Sequence, residues 1–419
     1  MNPPEFSFYH AHHIIEERCK ARMKCLHLCP TEAIRVRGGK VTFLNDLCID
    51  CGECITACTQ NVFVPKSEEK EDFNSFAFQI AIPSPVLYAQ FGPDVHPPVI
   101  HRALKNIGFD AVVDVAHITQ ELGFVLLHHL KMKGVIKPLI SSYCPTIVRF
   151  LQVKYPNLVN HIEPFDVPLE ILGKETKNLY AKKLGLKKNK IGVIYLSQCP
   201  AKIVSIKQPA EKEHSWIDGA IPIKEIYNIL MPEVFKIMEG TGASPEEDFH
   251  YGKDWGLLGN LSHVLGPEHC LSVAGLSHVK KIFDDIENSK LRNVDFIEAL
   301  ACMQGCVSGA YCVENPYIAR HTAILMEKAF HHPAKLDKKN ILKRYRQKIY
   351  SMEHPILPRP TRAIDNDITA SIKKLRQKER ILMKLPQKDC GLCGSPSCAS
   401  FAEDCARGEA DVTECIFFS

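Results

Sequence analysis

The chain has 419 residues, of which 45% are apolar and 24% charged, and its formal net charge is +4. That length supports two or three domains with a sizeable core, and so small a charge makes no case for a nucleic-acid partner. No apolar run approaches the roughly 18 residues of a membrane span, and the opening MNPPEFSFYHAHH lacks a basic-then-apolar leader pattern; a cytoplasmic location without a membrane partner is expected.

Cysteine is the outlier, at 18 residues. A reducing compartment disfavours disulfides, so metal ligation is the natural use for so many thiols. Residues 1–68 form the first cysteine-rich module. Cys48, Cys51, Cys54 and Cys58 stand in a C-x2-C-x2-C-x3-C run. Three thiolates at every third position wrap one iron–sulfur cubane, and the fourth reaches a neighbouring one. Zinc sites pair arms that lie far apart in sequence, so the continuous run favours iron–sulfur. Upstream, Cys19, Cys25 and Cys29 precede Pro30, and Arg22 occupies the place where the spacing calls for a further cysteine. Arginine stays protonated and cannot replace a thiolate.

The module resembles two-cluster ferredoxins. The resemblance implies crossed ligation, with Cys29, Cys48, Cys51 and Cys54 on one complete four-iron cluster. Cys19, Cys25 and Cys58 then serve a second site that is short of one ligand. That site is expected to hold a three-iron cluster, or a four-iron cluster with an exogenous ligand; its loss is the alternative. His10, His12 and His13 could ligate metal, but FSFYHAHHIIEE reads better as the module's first strand. The polar stretch PKSEEKEDFNS (65–75) reads as a linker.

From 76 to 330, short apolar runs alternate with longer helical periods. FAFQIAIP, FDAVVDVA, VIKPLISS, KIGVIYLS, CLSVAGL and VDFIEALA read as strands covered on both faces. VHPPVIHRALKNIGF and IPIKEIYNILMPEVFKIMEG read as helices between them. This alternation predicts an α/β domain with parallel sheets. Its cysteines fall in SSYCPTIV, SQCPAKIV and EALACMQGCVSGA, at or just beyond strand C-termini, the edge where open α/β sheets bind ligands. Gly305 and Gly309 are expected to let the backbone approach a bulky cofactor.

These three segments resemble the active-site domain of [FeFe] hydrogenases. The resemblance implies a two-lobed domain in which Cys144, Cys199, Cys302 and Cys306 hold a cubane. Cys306 would bridge to a diiron centre, and Lys202 would contact a diiron ligand. Tyr143 stands where hydrogen-producing members carry a relay cysteine, Ser205 where they carry a glutamate, and Leu300 where they carry a methionine. The glycine-rich continuation is Ala310-Tyr311. Losing a proton relay of suitable pKa predicts slow turnover.

Residues 331–380 form a basic helical linker broken at HPILPRP, and its charges read as a solvated helix face. Residues 381–419 form a small helical module. Its Cys390, Cys393, Cys398 and Cys415 resemble a four-cysteine [4Fe-4S] domain, with zinc as the rival. Gly391 and Gly394 suit a tight loop around a cluster. Cys270, Cys312 and Cys405 fit neither pattern and read as small buried hydrophobes.

The whole domain order resembles sensory [FeFe] hydrogenases. It implies about four [4Fe-4S]-type sites, one of them a [3Fe-4S] candidate, and in the fullest reading the diiron subcluster. A redox or signalling protein would be the partner, and H2 or protons the substrate. An electron-transfer subunit with cubanes alone is the main alternative. A eukaryote-type assembly factor fits less well because of the tail module and the Lys202 segment, and a fast hydrogenase is disfavoured by Tyr143 and Ser205.

Overall fold

The computed structural model describes residues 7–66, 68–240, 256–266, 268–330, 335–360 and 362–418. The first residues of the leader reading and the start of the 331–380 segment lie outside them. The N-terminal module contains β1 (His12–Ile14), β2 (Ile34–Arg37), β3 (Lys40–Phe43) and β4 (Phe63–Pro65). β1 pairs antiparallel with β4, and β2 with β3. The histidine run is therefore a strand, although it closes on the module's far end rather than on a neighbouring hairpin arm. Two short helices, Lys24–Leu28 and Glu53–Ala57, sit between these pairs and carry ligand-type cysteines.

In the central region follow β5 (Phe78–Pro83), β6 (Ala111–Val112), β7 (Leu139–Ile140), β8 (Ile191–Ser197), β9 (Gly219–Pro222), β10 (Cys270–Ala274) and β11 (Phe296–Leu300). They form two sheets, a four-stranded one in the order β6-β5-β8-β9 and a three-stranded one in the order β10-β11-β7. All pairings in both are parallel, so the α/β expectation holds in two lobes. Two of the expected strands shrink to two residues. After β6 the helix Ala116–His129 takes over almost at once. β9 escapes a pattern search because GAIP offers only one large apolar side chain, Ile221, between Gly219 and Pro222.

Alternation along β8 explains how the lobes join. Ile191, Val193 and Tyr195 face one core, and Ile194 and Leu196 face another. The first of these cores also takes Leu139, Phe296 and Leu300 from the second sheet. It is a layer shared by both sheets. A third core, with Phe150, Tyr155 and Phe283 at its centre, lies on the opposite face of the second sheet.

Two expectations about connecting segments need correction. The 65–75 stretch is docked rather than free. Phe73 is buried, Glu68 accepts the Ala220 N–H at 3.0 Å, and Glu68 pairs with Lys207 at 2.5 Å. The edge strand β9 is thereby covered. The basic 331–380 segment is likewise a strap. Arg344 pairs with Glu121 and Glu175, and Arg359 donates to the carbonyls of Cys48 (2.8 Å) and Asn45 (3.1 Å). Arg362 makes a two-pronged pair with Glu409 at 2.7 and 2.9 Å. The tail helix Cys398–Arg407, capped by Ser397, packs on the helix Ile368–Lys384. No helix among the described residues is long and apolar enough to cross a membrane.

Phe283 is fully buried between the rings of Tyr155 and Phe150, at centroid distances of 5.4 and 6.2 Å. Truncation there leaves a cavity that rigid helices cannot close. Phe283→Ala should cost about 3–5 kcal/mol, read as a lowered midpoint in denaturant unfolding.

Candidate metal centres

Cys144 and Cys199 are the residues immediately before the helices Pro145–Lys154 and Pro200–Lys207. Proline in a first turn gives up an N–H that had no intrahelical partner, so each CP pair starts a helix while turning its thiol back to the strand end. Cys302 lies two residues beyond β11, and Cys306 opens a short 3-10 turn. The four cysteines converge on one pocket, which Tyr143, Lys202, Leu300 and Cys51 also line. Burial pushes the Cys199 thiol up to about 11, and the adjacent Cys144 adds to the rise. Cys302 is raised further by burial and then by Cys306, Cys144 and Cys199. Thiols coupled in this way ionise together only against a cation. No cysteine of the chain forms a disulfide. This donor set therefore fits a metal cluster.

Gly305 and Gly309 line this pocket with backbone, as expected. They also allow close packing behind it: a Cβ on Gly305 would lie 2.2 Å from the Gly256 carbonyl oxygen, and one on Gly309 would lie 2.3 Å from that of Gln198. Lys202 is buried and donates to the Tyr143 carbonyl at 3.0 Å, with its ammonium 4.7 Å from the Tyr143 ring centre. Ser205 donates to the Lys202 carbonyl at 2.8 Å, so it is committed to its own helix. Cys312 donates to the Cys306 carbonyl at 3.5 Å and packs on the second core, as a small hydrophobe would. Cys405 is buried in the tail core, whereas Cys270 is only half-buried at the start of β10.

Further polar residues lie beside this pocket, and of these the sequence singled out only Ser205. Ser142, Arg149, Asp166, Glu170, Ser205 and Glu211 line a neighbouring cavity of about 40 Å³. At roughly 10–15 Å³ of accessible space per molecule, it has room for about three waters. Lys212 reaches Asp166 at 2.5 Å and Glu170 at 3.3 Å. Glu163 is buried behind Ser142, which donates to it through N–H (2.8 Å) and Oγ (3.0 Å). No sequence period marks these residues, because they come from separate loops and helices.

In the N-terminal module the cysteines sort into two groups. Cys48, Cys51 and Cys54 each feel the charge of Cys29, while Cys25 feels Cys58 and Cys19. Cys51 also lines the central pocket. Cys19, Cys25 and Cys58 surround a cavity of about 270 Å³ together with Arg22, whose guanidinium donates to Thr59 Oγ1 at 3.1 Å. The histidines support a buried acid. Burial raises the Asp50 carboxyl, but the hydrogen bond from His10 and the nearby His12 ring, 3.4 Å away, outweigh it and hold Asp50 well below its ordinary range. His10 Nδ1 lies 2.9 Å from Asp50, and His13 is exposed. In the tail, Cys390, Cys393, Cys398 and Cys415 line a single pocket. Gly391 and Gly394 again serve close packing, since their missing Cβ atoms face His27 and the Val36 carbonyl.

Burial pushes the Glu163 carboxyl up to about 7 despite the hydrogen bonds from Ser142 and Ser141. The folded chain keeps this proton to about pH 7, whereas an unfolded glutamate releases it near 4.5. Stability therefore falls as pH rises through that window, by roughly 3 kcal/mol in all. Glu163→Gln should flatten this slope and raise stability above pH 7 in urea titrations across the range; an unaltered slope would contradict the assignment.

The family model for the iron-only hydrogenase large subunit, C-terminal domain, matches residues 77–256 and 260–310, and an Fe–S cluster model matches 385–417. Iron hydrogenase 1 of Clostridium pasteurianum is 24% identical over 264 residues, which is 52% of this chain and 46% of that protein. The NADP-reducing hydrogenase subunit HndD of Solidesulfovibrio fructosivorans is 24% identical over 236 residues, 50% of this chain and 39% of that one. The chain thus spans less than half the length of either relative. A variant [FeFe]-hydrogenase HydA1 from Chlamydomonas reinhardtii shares the fold at a TM-score of 0.50 and 17% identity, covering 70% of this chain and 97% of that chain. The matched family segment covers more than half of the chain and includes all four central cysteines. The chain belongs to the family of the iron-only hydrogenase large subunit, C-terminal domain.

Proposed function

We propose that this chain is a sensory member of the [FeFe]-hydrogenase family. It would react slowly with H2 or protons and report its redox state to a separate cytoplasmic signalling protein. The observation that carries this reading is the environment of Tyr143. The Tyr143 side chain beside the central pocket offers a phenol, not a thiol. A phenol, ordinarily near 10, exchanges protons at neutral pH less readily than a thiol near 8.5.

In this reading Cys144, Cys199, Cys302 and Cys306 would hold a cubane, and Cys306 would also help to hold the diiron subcluster. When bound, the subcluster would supply the site at which H2 is made or split. Lys202 would hold a proton at Nζ in the pocket, and Leu300 with the buried backbone of Gly305 and Gly309 would exclude water. Cys29, Cys48, Cys51 and Cys54 would hold a second cubane. Cys19, Cys25 and Cys58 would hold a ligand-short cluster, and the four tail cysteines a further one.

One observation favours an electron-transfer subunit with cubanes alone: the Lys202 ammonium is already engaged on the Tyr143 carbonyl. Infrared spectra after maturation with the diiron cofactor separate the two readings. CO and CN stretching bands are expected, and their absence would leave electron transfer. Tyr143→Cys should then raise H2 evolution by roughly 10²-fold, the low end of what positioned proton transfer contributes. An unchanged rate would mean that protons take another route.

A further inference from the structure

Asp404 lies in the tail helix Cys398–Arg407 and is almost wholly buried. It receives Arg35 Nε at 2.5 Å and Nη2 at 3.0 Å, Arg37 Nη2 at 2.9 Å, and Ser395 Oγ at 2.6 Å. A buried carboxylate gripped bidentately by one arginine and met by a second holds a single geometry, because removing any partner strands a charge. Arg37 also donates to the carbonyl of Cys393 and, at 2.8 Å, to Ser395. The Val36 N–H donates to the Gly394 carbonyl at 2.8 Å. Both arginines belong to β2, in the N-terminal module. The ligand loop of the tail is thus pressed against β2 and against the helix Lys24–Leu28, which carries Cys25 and leads into Cys29.

At the other end of that module, Cys51 lines the central pocket. The three cysteine centres therefore stand in contact order: tail, N-terminal module, central pocket. Both outer centres reach the surface, but with different surroundings. Leu392, Ile416 and Phe417 around the tail centre are 57%, 70% and 41% exposed, an apolar rim, whereas the exposed side chains beside the Cys19, Cys25 and Cys58 cavity include the basic Lys20, Arg22 and Lys24.

We propose that the tail centre is the electron port of the chain, held in series with the N-terminal clusters by the latch of Arg35 and Arg37 on Asp404. The proposal rests on the reading that the four tail cysteines hold an iron–sulfur cluster. A one-electron carrier protein gives one electron to the tail cluster and is oxidised by one. The electron then passes to the N-terminal module, and no bond is made or broken.

The test uses the full chain with its clusters reconstituted and its iron counted. Flavodoxin hydroquinone serves as the protein donor and dithionite as the small one. In the unaltered chain, fast reduction by flavodoxin and magnetic broadening between reduced clusters are expected. Cys393→Ser should lose the tail iron and the fast phase with flavodoxin, while reduction by dithionite persists. Asp404→Ala should keep its iron yet lose both the broadening and the fast phase. If it does not fold, Cys393→Ser alone decides. Loss of tail iron with the fast phase intact would overturn the port. Zinc in the tail, or no iron lost in Cys393→Ser, would instead overturn the cluster reading beneath it.

Discussion

Four thiols have to meet at one point although they leave from two different sheets. Cys199 follows β8 of the first sheet, and Cys144 and Cys302 follow β7 and β11 of the second. Their convergence requires the two sheets to be held rigidly with their C-terminal edges facing the same space. The shared core supplies that rigidity, because Val193 and Tyr195 pack in the same apolar cluster as Phe296 and Leu300. Close packing transmits small displacements, so the ligand geometry depends on this layer more than on any loop that carries a cysteine.

The outer modules are fastened by a different interaction. Arginines spread along the chain bind carboxylates and carbonyls of distant segments: Arg35 and Arg37 on Asp404, Arg344 on Glu121 and Glu175, Arg359 on the Cys48 carbonyl, and Arg362 on Glu409. The planar guanidinium suits this task, since it binds two acceptors at once and stays charged when partly buried. Such contacts keep the two small cysteine modules in register with the central domain. The N-terminal module has only a small core of its own, around Leu26, Ile34 and Phe63, and a domain of that size gains from external fastening.

The central site was legible wherever chemistry and spacing coincide. CP pairs at strand ends, and ACMQGC after VDFIEAL, mark positions where a strand stops and a thiol is offered, and the structure gathers these residues in one pocket. The identities of Tyr143 and Ser205 beside these thiols are equally visible, because reading a side chain needs no geometry. The work of the glycines is only half visible. A sequence shows that a side chain is absent but not what occupies its place, and at Gly305 and Gly309 the backbone that lines the pocket also packs on a neighbouring carbonyl. The pairing of the basic 331–380 stretch is hidden for a related reason, since Arg344 and Arg359 find partners 169 and 311 residues away.

By itself the sequence determined the number and spacing of the cysteines, the parallel α/β character of the centre and the arginine that stands at position 22 among the N-terminal thiols. These follow from local spacing and from side-chain periods that the backbone imposes on every strand and helix. Only the tertiary structure decided which groups share a site. The Asp166, Glu170 and Glu211 cavity, the His10 and His12 support of Asp50, and the Asp404 latch all join residues from separate elements. Their hydrogen bonds and ion pairs act over a few ångströms, so they exist only after the shared core has set the distances.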